Sequence, residues 1–449
     1  MIAAFLLLAS SASAAPPLRV SIDGHALVRA DGSPFFWLGD TAWLLFTRLD
    51  RAQAELYLRE RARQGFTVIQ AVALGDLEAP DMPNAYGQTS LLGRDPRRPN
   101  EAFFAHVDWV VQRANTLGLT LAMLPCWGDT WNPYPGERQA IFDVEGARSL
   151  GLFLGRRYRD ADLVWVLGGD HRIDSPAQLA ILRAMAEGLR EGDGAAHLIT
   201  FHPPGESGSS TWLHDAPWLD FNMRQNGHGA EYAPYAKTRD DWARTPPKPV
   251  LDAEPLYEDH PLSFEQKTRG HSLASDVRRA LYWDLFGGAF GHTYGHHSVW
   301  QFWSPGTEPA NDPLLPWTEA LAQPGASQMR HARSLLAAYP GARVPDDDIL
   351  VPDRVATAVP GAGRARFVAM RAQTRRWAMV YAPVGRGFRV RLEAVMATRV
   401  RASWFDPRTG KLRAIATYPA RGERTFIPPS AGEALDWILV LDDVDRTTR

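Results

Sequence analysis

The run Leu163-Val164-Trp165-Val166-Leu167-Gly168-Gly169-Asp170 decides the fold that this sequence predicts. Its apolar residues do not alternate with polar ones, which is typical of a strand buried on both faces in a parallel sheet. Two glycines end the strand, and an aspartate follows them. A second segment has the same form, because Val250 and Leu251 lead through Asp252 and Ala253 to Glu254.

Strand and helix patterns alternate from residue 35 to residue 344 and predict eight strand–helix units. The predicted strands are residues 35–39, 67–74, 120–125, 163–167, 196–201, 218–222, 249–252 and 288–293. Eight such units favour a closed (β/α)8 barrel, the TIM barrel, over an open doubly wound sheet. Asp170 and Glu254 then follow the fourth and seventh strands, at the face of the barrel on which active sites form.

The sequence pattern changes near residue 345, where helical patterns stop and short runs of strand-forming residues begin. The residues from 345 to 449 are therefore predicted to form a small antiparallel β-sandwich, and residues 15–344 the barrel. Asp406-Pro407-Arg408-Thr409-Gly410 predicts a tight turn between two strands of this sandwich.

The first fourteen residues predict a signal peptide. They carry a short apolar run followed by Ala12-Ser13-Ala14, small residues of the kind that a signal peptidase reads. A secreted or periplasmic protein without a membrane span after cleavage is expected. Cys126 is the only cysteine, so an intramolecular disulfide is excluded, and the net charge of -2 offers no basic surface for nucleic acid.

Three segments of the chain resemble the apiosidase-like glycoside hydrolases, of the family 140 type. They are Phe36-Trp37-Leu38-Gly39-Asp40-Thr41-Ala42-Trp43, Gly168-Gly169-Asp170 and Glu254-Pro255-Leu256-Tyr257-Glu258. Characterised members of that family remove apiose from plant pectin side chains, so the resemblance implies a plant cell-wall carbohydrate as substrate. The C-terminal part is similar to a β-rich module named for collagen binding by a collagenase.

The resemblance implies that Asp170 is the proton donor and that Glu254 is the nucleophile. Independently of it, hydrolysis with retention requires a carboxylic acid and a carboxylate, about 5 to 5.5 Å apart. A protonated Asp170 requires the nucleophile's charge and apolar surface beside it, for which Trp165 and Trp127 are candidates.

An ionised Glu254 requires hydrogen-bond donors, and Tyr294, His296 and Arg224 are the predicted ones. Further polar and aromatic side chains near predicted strand ends are candidates for binding sugar hydroxyls and sugar faces. Together with those three, the set is Asp40, Thr41, Trp43, Trp127, Asp129, Trp131, His171, His202, Asn222, Gln225, Tyr257 and Trp300.

The long segments 75–100 and 127–137 follow the second and third strands and are predicted to wall the pocket. A walled pocket favours exo action, and the resemblance implies that the released sugar is apiose or another pentose. Two alternatives stay open: an exported glycan hydrolase of different sugar specificity, and a carbohydrate-binding protein without catalysis. His292, His296 and His297 lack a carboxylate at metal-ligand spacing, so we expect neither a metal nor another cofactor.

Overall fold

The computed structural model describes residues 15–74, 81–137, 139–229, 233–352 and 363–445. The predicted signal peptide, residues 1–14, lies outside the described residues, as do residues 75–80 of the long segment after the second strand.

A small antiparallel sheet precedes the barrel. Its strands are β1 (Leu18–Val20), β2 (Leu27–Arg29) and β3 (Pro34–Phe35). The barrel strands follow as β4 (Leu38–Thr41), β5 (Val68–Val72), β6 (Thr120–Leu124), β7 (Leu163–Gly168), β8 (Ile199–His202), β10 (Asn222–Gln225), β11 (Val250–Asp252) and β12 (Gly291–Tyr294). A two-residue strand, β9 (Ser207–Gly208), pairs antiparallel with β10.

The eight barrel strands are parallel and nearly close on themselves. Their order is β8-β7-β6-β5-β4-β12-β11-β10, so the first strand of the barrel pairs with the last. The remaining gap between β8 and β10 is bridged by the Asp220 amide, which donates to the Ile199 carbonyl at 2.9 Å. Thr200 Oγ1 also donates to the Phe221 carbonyl at 2.7 Å. The structure confirms the predicted TIM barrel.

Helices connect the strands on the outside of the barrel. They are α1 (Leu45–Arg48), α2 (Arg51–Gln64), α3 (Glu101–Thr116), α4 (Val144–Arg157), α5 (Pro176–Asp193), α6 (Ser210–Leu213), α7 (Pro234–Trp242), α8 (Gln266–Arg269), α9 (Ala274–Gly287), α10 (His297–Trp300), α11 (Trp317–Ala320) and α12 (Pro324–Ala337). In the described ranges, no helix is both long enough and apolar enough to cross a membrane.

Four predicted strands, the first, fifth, sixth and eighth of the barrel, begin three or four residues later in the structure. Phe35 belongs to the N-terminal sheet, and the first barrel strand begins only at Leu38. The sixth strand was expected at residues 218–222 but occupies Asn222–Gln225, because Trp218 and Leu219 lie in the turn that leads into it. As a consequence, Arg224 and Gln225 lie within this strand and not after it.

The C-terminal region forms the predicted antiparallel sandwich. Its strands are β13 (Arg343–Pro345), β14 (Val368–Ala372), β15 (Trp377–Ala382), β16 (Phe388–Arg391), β17 (Arg399–Asp406), β18 (Lys411–Pro419), β19 (Glu423–Phe426) and β20 (Trp437–Asp443). Six of them form one sheet in the order β13-β14-β15-β20-β17-β18, and β16 pairs with β19. The turn predicted at residues 406–410 connects β17 to β18.

The sandwich packs directly against helix α9 of the barrel. Arg278 on this helix forms a buried ion pair with Asp436, with 2.6 Å between Nη2 and Oδ1. Beside it the rings of Tyr282 and Tyr381 stack with centroids 5.1 Å apart. Helix α9 is therefore enclosed on one side by the barrel and on the other by the sandwich.

Candidate active site

Asp170 lies on a turn of unusual backbone conformation at the end of β7. The φ angles of Gly168, Gly169 and Asp170 are 95°, 102° and 63°, so three successive residues are in the left-handed region. A Cβ atom on Gly168 would lie 2.3 Å from the His202 carbonyl oxygen, and one on Gly169 would lie 2.9 Å from the Gly128 nitrogen. Glycine is thus required at both positions. The strained φ of Asp170 itself is typical of residues at functional sites.

The surroundings of Asp170 favour its protonated form. Burial is the larger cause and the negative charge of Glu254 the second, and together they raise the pKa of Asp170 to about 6. His202, His171 and a hydrogen bond with Gln225 act in the opposite direction. Asp170 therefore carries its proton at mildly acidic pH, where an ordinary aspartic acid is ionised.

Glu254 lies two residues beyond β11 and is held by two histidines. His202 Nε2 lies 3.0 Å from Oε2 of Glu254, and His228 Nε2 lies 3.2 Å from Oε1. Burial alone would raise the pKa of Glu254, but the interactions with the two histidines outweigh it and hold this pKa well below its usual range. The two carboxyl groups are therefore adjacent and have opposite protonation preferences.

The predicted partners of Glu254 were wrong. Tyr294 donates its hydroxyl to Glu258 at 2.6 Å, and Arg224 Nη1 donates to Asp241 at 2.5 Å. His296 Nε2 lies 3.2 Å from Asp259 Oδ2, and its Nδ1 accepts a hydrogen bond from the Ser298 amide. All three side chains contact other acids or backbone groups around the barrel rim. The sequence pattern does not show which of several nearby acids a donor contacts.

Buried aromatic side chains pack around these two acids. The rings of Trp43 and Trp127 are 5.2 Å apart, and the His202 ring lies 5.3 Å from Trp43 and 5.8 Å from Trp127. Tyr257 is buried, and burial together with the charge of Glu254 raises the pKa of its phenol well above the usual value. The phenol also interacts with Thr41 and Trp43. The structure thus brings Tyr257, Thr41, Trp43 and Trp127 together.

Trp165, in contrast, faces away from Asp170. Its Nε1 donates to Asp193 of helix α5 at 3.0 Å, and its ring packs against Tyr158 on the outside of the strand. The side chain that packs against the turn before Asp170 is Trp127, which a Cβ atom on Gly169 would contact at 2.9 Å.

Three other candidates are engaged away from the two acids. Asp40 is completely buried and accepts from Arg61 Nε and from the Tyr57 hydroxyl, each at 2.6 Å. Asn222 Nδ2 lies 3.1 Å from His214 Nδ1. Trp300 Nε1 donates to His297 Nδ1 at 3.4 Å. The buried ion pair of Asp40 is a structural role that its position in a strand-end motif did not reveal.

The remaining candidates lie on the segment after β6 and beside Asp170. Trp131 Nε1 donates to the Gly168 carbonyl at 3.2 Å, and Asp129 is buried in the short turn Gly128–Thr130. His171 Nδ1 lies 2.9 Å from the Gly169 carbonyl oxygen. Trp131 and His171 thereby hold the turn that carries Asp170.

His228 is the functional residue that sequence reasoning missed. It lies three residues after β10, as Glu254 lies two residues after β11. The candidate residues were chosen as polar residues that follow the ends of predicted barrel strands. With the sixth strand at its observed boundary, that criterion would have included His228. Tyr134 and Glu137, which contact the segment around Asp170, were also not singled out.

The histidines that suggested a metal have protein partners. His292 Nδ1 lies 2.9 Å from Asp284 Oδ2, and burial lowers the pKa of His292 to about 4. His297 Nε2 lies 2.8 Å from the Asn311 carbonyl oxygen. In the part of the chain that the structure describes, no group of three or more His, Cys, Asp or Glu side chains is arranged to hold a metal ion.

Comparisons with known proteins assign both parts of the chain to known families. The family model "Apiosidase-like, catalytic domain" matches residues 21–342, and the model "Putative collagen-binding domain of a collagenase" matches residues 344–442. Among curated proteins no match was found.

Two solved structures are similar over almost their whole length. One, described as a glycoside hydrolase, is 32% identical with a TM-score of 0.86, and the alignment covers 97% of this chain and 98% of that one. The other, a glycoside hydrolase family 5 protein from Bacteroides vulgatus, is 30% identical with a TM-score of 0.87 and coverages of 96% and 95%. A glycoside hydrolase described from the same organism is 14% identical with a TM-score of 0.68, which shows a shared fold.

Proposed function

Since this chain belongs to the apiosidase-like family of glycoside hydrolases, we propose that it hydrolyses its substrate with retention, with Asp170 as acid/base and Glu254 as nucleophile. The observation that carries the proposal is the opposite shift of the two adjacent carboxyl pKa values, one raised and one lowered. In retaining glycosidases, the carboxyl group with the raised pKa is the acid and the one that stays ionised is the nucleophile.

In the first step, a carboxylate oxygen of Glu254 attacks the anomeric carbon while Asp170 gives its proton to the glycosidic oxygen. The bond from the anomeric carbon to that oxygen breaks, the leaving sugar departs with the proton, and a glycosyl ester on Glu254 forms. In the second step, the ionised Asp170 takes a proton from water, whose oxygen attacks the anomeric carbon. Glu254 is released as a carboxylate, and two inversions give net retention.

His202 and His228 serve the nucleophile in both steps. Because each contacts one oxygen of Glu254, they favour its ionised form and fix the plane of the carboxylate. The same two contacts stabilise the carboxylate that leaves in the second step.

We further propose a plant cell-wall glycan of the pectin type as substrate, with exo release of apiose or another pentose. Support comes from the family, whose catalytic-domain model matches residues 21–342. The segment from 127 to 137 contacts the turn that carries Asp170 and would limit the space beyond a single bound sugar ring. Residues 1–14 favour export to the periplasm or the medium.

A panel of substrates tests this proposal. Apiose-terminated and arabinose-terminated pectic oligosaccharides, 4-nitrophenyl pentosides and 4-nitrophenyl hexosides are incubated with the enzyme, and products are identified by chromatography. We expect free pentose as the first product. Oligosaccharides of mixed length would contradict exo action, cleavage of hexosides alone would point to a different sugar specificity, and binding without turnover of any substrate would contradict catalysis.

A further inference from the structure

The segment of residues 127–137, here called the acid-side loop, follows β6 and lies against the turn that carries Asp170. Each residue from Gly168 to Arg172 has a contact with it. Gly128 N donates to Gly169 O at 3.0 Å, and Trp131 Nε1 donates to Gly168 O at 3.2 Å. Asn132 Nδ2 donates to Arg172 O at 2.8 Å, and Tyr134 Oη donates to Asp170 O at 3.3 Å. Glu137 Oε2 lies 3.1 Å from His171 Nε2.

The close approach depends on a glycine. A Cβ atom on Gly128 would lie 2.2 Å from His171 Nδ1 and 2.4 Å from the Gly169 carbonyl oxygen. Any other residue at this position would therefore push the acid-side loop away from Asp170. These contacts join the acid-side loop and the turn into one packed unit. A segment without helix or strand needs such support to bind a ligand in a fixed orientation.

Tyr134 is the aromatic residue that this unit places beside the acid. Its ring stacks on the buried His171 ring with centroids 4.1 Å apart and an angle of 19° between the planes. Both nitrogens of His171 have oxygen partners, the Gly169 carbonyl and the Glu137 carboxylate, so the orientation of the supporting ring is fixed. Glu137 also accepts from the Tyr134 amide at 2.5 Å.

Tyr134 itself is only half-buried, although one face of its ring rests on His171. A tyrosine supported in this way presents its remaining surface to solvent with little freedom of rotation. The apolar face of a sugar ring packs on such a surface. Because the side chain is already ordered in the free protein, little side-chain conformational entropy is lost when the sugar binds.

We propose that Tyr134, held by His171 and Glu137, is the platform for the sugar that leaves in the first step of the reaction. This inference rests on the proposed function, because the acid must stand next to the glycosidic oxygen of the leaving sugar, and Tyr134 contacts the backbone of Asp170. Tyr134 is accordingly a specificity-determining residue for the leaving group.

Two glycosyl substrates, here called donors, share a pentose and differ only in the leaving group. Comparing them distinguishes binding of the leaving sugar by Tyr134 from the chemical step itself. The first is an apiosyl disaccharide, whose leaving group is a sugar, and the second is apiosyl fluoride, whose leaving group needs neither a platform nor a proton. We expect Tyr134→Ala to lower kcat/KM about tenfold on the disaccharide, by loss of sugar–aromatic packing, and to leave kcat/KM on the fluoride within about twofold. Tyr134→Phe should retain most of the disaccharide activity, because the ring is kept.

Tyr418→Ala is the matched control, since Tyr418 is also half-buried and carries an arginine over its ring, but lies in the sandwich. It should leave both donors unaffected. Equal losses of Tyr134→Ala on both donors, or no loss on either, would overturn the platform and leave the proposed function intact. If wild-type enzyme cleaves neither donor, the pair is remade with the pentose that the substrate panel identifies. Failure with every sugar would contradict the proposed function and the platform together.

Discussion

The Nε2 atom of His228 lies 3.2 Å from the Oε1 atom of Glu254. This contact joins the loops after two neighbouring barrel strands, β10 and β11, and it leaves the other carboxylate oxygen to His202. A carboxylate whose two oxygens are both contacted has a fixed plane, and it favours its ionised form in spite of burial. An enclosed glutamate that stays ionised beside a second acid is what the proposed role of Glu254 requires.

The first prediction concerns the two carboxyl groups themselves. Asp170→Asn should lower kcat on pectic oligosaccharides by about a hundredfold to ten-thousandfold, the range expected for loss of general acid catalysis. Glu254→Gln should lower it at least as much, because the nucleophile is lost. Steady-state kinetics measure both, with the exposed Asp160→Asn as control. Retention of more than a tenth of the wild-type rate by either variant would show that its residue has another role.

The second prediction concerns the dependence of activity on pH. Asp170 must be protonated in the first step, and its pKa is raised to about 6, so kcat/KM should fall as the pH rises through that value. Glu254 must be ionised, and its pKa is lowered, so activity should persist to more acidic pH than an ordinary glutamate allows. A pH–rate profile on an oligosaccharide with a sugar leaving group measures both limits. Activity that rises steadily from pH 5 to pH 9 would contradict these assignments.

The third prediction concerns His228. Its replacement by alanine removes a donor to a charged group, worth about 1.5 to 3 kcal/mol, which corresponds to about one to two pKa units. Since the lost interaction favours the ionised form, the pKa of Glu254 should rise, and the acidic limit of the pH–rate profile should move upward. His25→Ala, at a half-buried histidine that stacks on Trp242, is the control. An unchanged acidic limit in His228→Ala would mean that His202 alone sets this pKa.

The fourth prediction concerns the junction between barrel and sandwich. Arg278→Ala leaves Asp436 buried without its cation and should lower the free energy of unfolding by about 3 to 5 kcal/mol. Thermal or denaturant unfolding measures the effect. Arg63→Ala removes an exposed ion pair with Glu60 and should leave the free energy of unfolding nearly unchanged. Equal effects of the two variants would show that the interface pair contributes little.

Local signals made much of the fold predictable. Helix α2 lies between Asp50, which accepts from the Gln53 amide as its N-cap, and Gly65, which ends it with a φ of 90°. Both residues act within one helical turn, so the sequence reveals them. The unbroken apolar run of β7 similarly identified a strand buried on both faces, and with it the position of Asp170.

What sequence could not show are contacts between distant segments. Asp40 was expected to bind sugar, but Arg61, on the following helix, pairs with it in the barrel wall. Trp218 was assigned to a strand because its neighbours are apolar, whereas the strand begins at Asn222, whose side chain is polar yet completely buried. Buried polar residues carry no hydrophobic periodicity in the sequence, so both errors have the same origin.

Azide rescue of the alanine variants at the two carboxyl positions tests the central claim most directly. Small anions occupy the space left by a removed carboxylate, and NMR of the product reports the configuration at the anomeric carbon. With Glu254→Ala, azide should attack the substrate once and give a glycosyl azide of inverted configuration. With Asp170→Ala and an aryl glycoside, azide should attack the ester on Glu254 and give the retained configuration. A retained azide product from Glu254→Ala, or an inverted one from Asp170→Ala, would contradict the assignment of Glu254 as nucleophile and Asp170 as acid/base.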